Sequence, residues 1–276
     1  MRRPVFLSPM NATPDIQLQR HLAWWRWSGF FLGCAAFFLS FFHRVCTGAI
    51  AGDLQREFEM GAAALGTLGA TYFYIYGLTQ VPLGVLIDTI GPRKILWVGM
   101  TVAGIGSLAY GYSGSFGAAL ASRTLIGLGV SGVFVSTLKL HANWFSDQRF
   151  ATAVGVSNVS GILGALAATA PLAWLVTQVP WRTVFVAIGV ISIVLAAAIA
   201  LFVRDAPEAS GNRVAAGEWR SALKAVALNR ATWPPFWLTF SMSGAFMTLV
   251  SLWTAPYLVH KHGLSQVAAG SYPAMT

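Results

Sequence analysis

The sequence predicts an all-α membrane protein, a six-helix transmembrane bundle followed by part of a second one. Three observations predict it. Hydrophobic residues make up 56% of the chain and charged residues 10%, against about 25% charged in soluble domains. Apolar runs long enough to cross hydrocarbon recur along the chain, without the alternation of membrane β-strands, which leaves helices to satisfy every backbone hydrogen bond in lipid. The bases lie mainly between those runs, where they set orientation.

Residues 1–24 carry Pro4, Pro9 and Pro14 and read as a cytoplasmic tail that ends at the aromatic belt of Trp24, Trp25 and Trp27. Apolar segments follow at 25–50, 64–87, 95–112, 117–140, 150–176 and 184–203, and a seventh at 233–259. The first is too long for a signal-peptide core and no small-residue cleavage site follows it, so it is read as retained. Its two cysteines, Cys34 and Cys46, would stand roughly 18 Å apart along one helix, too far for a disulfide. Residues 204–232 are the longest polar stretch and read as a cytoplasmic linker. Within it EWRSALKAVAL suits a short surface helix with Trp219 and Leu223 toward lipid and Arg220 and Lys224 toward headgroups. The last residues, SQVAAGSYPAMT, are too short to span and too apolar for a hydrophilic tail, so the chain reads as interrupted at 233–276, inside the second bundle.

The formal net charge is +9, from 18 bases and 9 acids. In a soluble domain this would suggest nucleic acid. Here the bases Arg2, Arg3, Arg20, Arg26, Arg93, Lys94, Lys139, Arg149, Arg204, Arg213, Arg220, Lys224 and Arg230 fall on one side of the alternating spans, against Arg56, Arg182 and Lys261 on the other. That asymmetry places the N-terminus in the cytoplasm of a multi-pass protein of the plasma (inner) membrane and excludes nucleic acid as partner.

Two arginines, Arg44 and Arg123, fall inside spans one and four, each roughly six residues or about 9 Å from the outer end. An intramembrane cation is a functional candidate because its desolvation is costly. No Asp or Glu falls inside the bundle spans. An anionic substrate bearing carboxylate or phosphate would neutralise the pair, since the guanidinium fork matches both. Ser40, Arg44 and Thr47 share a helical face, as do Tyr72, Tyr76 and Gln80, and Asn158 and Ser241 are weaker candidates of the same kind. The structural alternative is that Arg123 bonds backbone carbonyls, that Arg44 snorkels outward and that Tyr72 serves helix packing. His43 is the candidate for proton coupling, against a packed, hydrogen-bonded role. His141 is placed at the inner interface. No catalytic set or H-E-x-x-H spacing occurs, which argues against an enzyme. A non-transporting receptor or scaffold, or an inactive fragment of a transporter, remains the alternative function.

Gly84-Val-Leu86-Ile-Asp88-Thr-Ile-Gly91-Pro-Arg93-Lys94 resembles the signature G-x-L-x-D-[RK]-x-G-[RK]-[RK] of the major facilitator superfamily, with Thr89 and Pro92 replacing two usual bases. Arg123 to Gly132 contains Gly127 and Gly129 and is similar to that family's R-x-x-[Q]-G-x-G element, with Ile126 departing from it. The string SFFHRVCTGAIAGDL looks like members that take up organic anions. The fifth span carries Gly155, Gly161 and Gly164 but lacks the G-P-x-x-G-G element of drug:proton antiporters. The resemblance implies two pseudo-symmetric six-helix halves, symport of a small organic anion with protons or sodium by alternating access, no cofactor or metal, and a monomer. It also implies a role for Gly84, Asp88, Gly91, Arg93 and Lys94 in the conformational cycle.

Overall fold

The computed structural model describes residues 16–207, 219–248 and 261–262, and no strand occurs among them. The chain divides into the units Met1–Val214 and Ala215–Thr276.

The first unit contains nine helices among its described residues: α1 (Ile16–Val45), α2 (Ala51–Glu57), α3 (Ala62–Ile90), α4 (Pro92–Gly111), α5 (Phe116–Ser131), α6 (Val133–Trp144), α7 (Asp147–Ala167), α8 (Ala170–Gln178) and α9 (Trp181–Phe202). Among the described residues, five stretches are long and apolar enough to cross a membrane: Leu22–Val45, Ala62–Ile90, Phe116–Trp144, Asp147–Ala167 and Trp181–Phe202. The third expected span is α4, of 20 residues, or about 30 Å at helical rise. It opens on Pro92, Arg93 and Lys94 and is not among those five.

Small residues set the packing. A Cβ on Gly129 of α5 would run into the backbone of Gly99 and Ala103 of α4, and one on Gly164 of α7 into the Phe38 carbonyl of α1. Close backbone approach of this kind is how helices associate where no hydrophobic effect drives them. Gly155 has open space around it, so of the three glycines in that span only Gly161 and Gly164 pack.

Three boundaries differ from the sequence reading. The first span ends at Val45, after which Cys46–Ile50 turns and α2 begins, so Thr47 lies past the helix that carries Ser40 and Arg44. The fifth span is interrupted after Ala167 and resumes as α8 at Ala170 with Pro171 at its start. Proline lacks an N–H and clashes with the carbonyl four residues back, which is that of Ala167. The fourth span is divided at Gly132.

The loops sort into two ends. One holds α2 and residues 112–115 and 179–180, and is here the α2 end. The other holds residues 88–94, 145–146 and 203–207, and is the Asp88 end.

In the second unit, WRSALKAVAL forms α10 (Trp219–Leu228), a 3-10 turn spans Arg230–Thr232 and α11 spans Trp233–Thr248. Lys224 and Ser241 are exposed. The side chains of Trp219, Arg220 and Leu223, and the rest of the seventh expected span, lie outside the described residues.

Candidate anion site and signature loop

Arg44 sits in the last turn of α1, where helix carbonyls favour a cation. Its guanidinium carbon lies 4.6 Å from the Phe41 ring centroid, 5.1 Å from Tyr76 and 6.0 Å from Tyr72. Aromatic faces attract a guanidinium through the ring quadrupole, and a guanidinium edge donates its N–H groups to a planar anion. The residue as a whole is half-buried, and its Nε has no hydrogen-bond partner among the described residues.

Arg123, on α5, is fully buried. Its Nη1 donates to the His43 carbonyl at 3.0 Å and approaches the Cys46 sulfur at 3.6 Å. Its guanidinium carbon is 5.7 Å from the Tyr72 ring and 6.0 Å from the Tyr110 ring. Nε and Nη2 have no partner among the described residues. Both guanidiniums thus lie within 6.0 Å of the Tyr72 ring centroid, and Arg123 is fully enclosed. The bond to a backbone carbonyl is the alternative named for it from sequence.

Tyr72 is fully buried and donates its hydroxyl to the Ser40 carbonyl at 3.3 Å. Gln80 donates through Nε2 to the carbonyls of Tyr76, at 3.2 Å, and Ser131, at 3.1 Å, tying α3 to the break between α5 and α6. Ser40 is buried and contributes its carbonyl. His43 is fully buried, with neither ring nitrogen hydrogen-bonded among the described residues.

Asn158 stands apart from this group. It is exposed on α7 and lines a small void with Phe37, Thr137, His141 and Ser157. His141, expected at the interface, is buried and lies 2.7 Å from the Ser157 hydroxyl. Packing of α6 against α1 and α7 places Phe30 and Ser157 over a ring that helix position alone put at the surface.

At the Asp88 end, Asp88 pairs with Lys139 of α6 at 2.9 Å. Gly91 has φ +97°, a region that L side chains rarely enter, and a Cβ there would lie 2.5 Å from the Asp205 carboxylate. That carboxylate accepts from the Arg93 backbone N–H at 2.7 Å, at the start of α4, where the orphan N–H groups of a helix favour an anion. The Arg93 side chain donates to the Ala200 carbonyl, and Asn143 donates to the Asp205 carbonyl at 2.8 Å. Gly84 has open space around it and Lys94 is exposed. Sequence reasoning missed Lys139 and Asp205 as partners. The available signal for Asp205 was an acid placed directly after an apolar span.

The chain is 24% identical over 250 residues to the "Probable sulfoacetate transporter SauU" of Cupriavidus necator, covering 85% of this chain and 58% of the relative. It is 24% identical over 239 residues to the "Probable L-galactonate transporter" of Escherichia coli, covering 80% and 52%. It thus spans little more than half the length of these relatives. In fold it is similar to a bacterial homologue of the human lysosomal transporter Spinster in its inward-facing, unoccupied conformation, with TM-score 0.66 and 20% identity over 91% of this chain and 59% of that one. The family profile of the Major Facilitator Superfamily matches residues 25–276, and the chain belongs to that family of multi-pass membrane proteins.

Proposed function

We infer that the described bundle is one half of a secondary transporter for a small organic anion bearing a carboxylate or phosphate group. The observation that carries this is Arg44, a half-buried guanidinium framed by Phe41, Tyr72 and Tyr76. No acid pairs with it among the described residues. Relatives named for sulfoacetate and L-galactonate support the anion class. Arg123 supports the site from behind the Tyr72 ring. Transport proceeds by alternating access between two halves, as symport with protons or sodium, and His43 is the imidazole nearest the arginines along the chain. The Asp88–Lys139 pair holds one state of the cycle. The Asp88 end faces the cytoplasm of the inner membrane, and the transporter acts as a monomer.

Counterflow in proteoliposomes containing the full chain tests this reading, with labelled galactonate and sulfoacetate against a neutral sugar and a cationic amine. Exchange of the anions, weakened by Arg44→Ala, is expected. Exchange of the neutral or cationic solutes alone would overturn it.

A further inference from the structure

The α2 end carries a clamp that anion binding and the signature loop leave unused. Glu57, the last residue of α2, accepts a hydrogen bond through Oε2 from Trp181 Nε1 at 2.8 Å. Its Oε1 accepts from Arg182 Nε at 2.9 Å and Nη2 at 2.6 Å. The remaining arm of Arg182 donates to the Gly111 carbonyl at 3.0 Å. One carboxylate thus ties α2 to the start of α9, and the same guanidinium ties both to the end of α4. The helix itself ends sharply, because Glu59 takes φ +49° and Met60 N–H bonds back to the Gln55 carbonyl, the pattern of a Schellman stop.

Under this clamp lies a layer of buried side chains. Cys46, Ile50 and Leu54 are fully buried, and so is Tyr110, whose ring lies 5.4 Å from that of Trp181. The Tyr110 ring in turn faces the Arg123 guanidinium, and Cys46 touches it. A single layer of side chains separates the clamp from Arg123. Charge interactions strengthen when water is kept out, so the seal sets the strength with which Arg123 acts on its surroundings.

We propose that Glu57 is a positioning residue for the cation site, holding α2 as a fixed plug that keeps Arg123 dry. Access to Arg44 from this end then passes beside the plug, not through it. The last step rests on the reading of Arg44 and Arg123 as the anion site; the seal does not.

Cys46 is a native reporter, and Cys34, buried beside Ser157, is its control. The full chain in lipid nanodiscs is treated with a membrane-impermeant maleimide, and modification at each cysteine is read by mass spectrometry. In the unsubstituted protein both thiols stay protected until detergent denaturation. In Glu57→Ala the labelling rate of Cys46 rises about tenfold or more while Cys34 stays protected, since labelling tracks the population of the locally opened state. Glu57→Gln, which can still accept from Trp181, falls between. If Glu57→Ala unfolds, both cysteines react together, and Glu57→Gln and Trp181→Phe, each removing part of the clamp, carry the test. Protection of Cys46 unchanged in both of these, or Cys46 of the unsubstituted protein reacting as fast as after denaturation, overturns the proposal. No substrate is needed, so failed anion exchange leaves this result standing, and an unprotected Cys46 leaves the anion reading standing.

Discussion

Arg44 and Arg123 stand against one tyrosine ring in different surroundings, and the difference separates their substitutions. Arg44 is half-buried, so Arg44→Ala removes one charge-assisted contact to the anion and raises the apparent transport constant by about ten- to a hundredfold. Arg44→Lys recovers only part of this, lacking the planar fork. The thermal midpoint in detergent stays near that of the parent. Arg123→Ala instead strips the buried His43 carbonyl of its guanidinium donor and leaves it only the weak Cys46 thiol at 3.5 Å, at a cost of about 1–3 kcal/mol, and lowers the midpoint as well as the affinity. Equal midpoints for the two variants would contradict the division. Tyr72→Phe loses the long bond to the Ser40 carbonyl and the hydroxyl's contact with Arg44 but keeps the ring, so its transport constant changes by less than about tenfold. The residue types of the site were legible in the sequence, because arginines inside apolar runs stand out. Their division into one half-open and one enclosed guanidinium stood in the sequence only as an alternative, since enclosure of Arg123 depends on His43, Cys46, Tyr72 and Tyr110, which come from other parts of the chain.

Within the signature loop, the two glycines of one motif separate at the level of the element. Gly91→Ala forces an L side chain into φ +97° and drives a methyl into the Asp205 carboxylate, so it costs at least about 1–2 kcal/mol and slows transport. Gly84→Ala meets open space and has a midpoint and transport rate close to the parent's. Identical effects from both, measured by thermal melts and counterflow, would remove Asp205 from the account. At the end of α2 the sign reverses: Glu59→Gly relieves a left-handed residue and stabilises by about 1 kcal/mol, read as a raised midpoint. The Asp88–Lys139 pair is partly exposed and contributes little to stability, about 0–1 kcal/mol. Asp88→Asn therefore lowers the exchange rate more than the binding affinity or the midpoint, if its role belongs to the cycle. The helices themselves were readable from apolar length. Their interruptions at Gly132, at Ala167 and after Val45 were not, except that Pro171 marked the second.

At the scale of the whole molecule, orientation is open to direct measurement. Ser115, exposed at the α2 end, and Ser146, exposed at the Asp88 end, are suitable single-cysteine sites in a Cys34→Ser, Cys46→Ser background. With the N-terminus inside, an impermeant reagent added to intact cells labels Ser115→Cys, and Ser146→Cys reacts only in inverted vesicles. The reverse pattern would turn the topology over. What the sequence determined by itself was the solvent of the fold, its helical class and its family signature. These depend on composition and local spacing, which survive without knowledge of any contact. The tertiary structure decided which cation meets open space, which glycine is obligatory and which acid closes an end of the bundle. Each of those turns on groups far apart in the chain: Arg123 against His43, Gly91 against Asp205 and Glu57 against Trp181 and Arg182. Only helix packing brings such groups within hydrogen-bond reach, and no local pattern in the sequence records that distance.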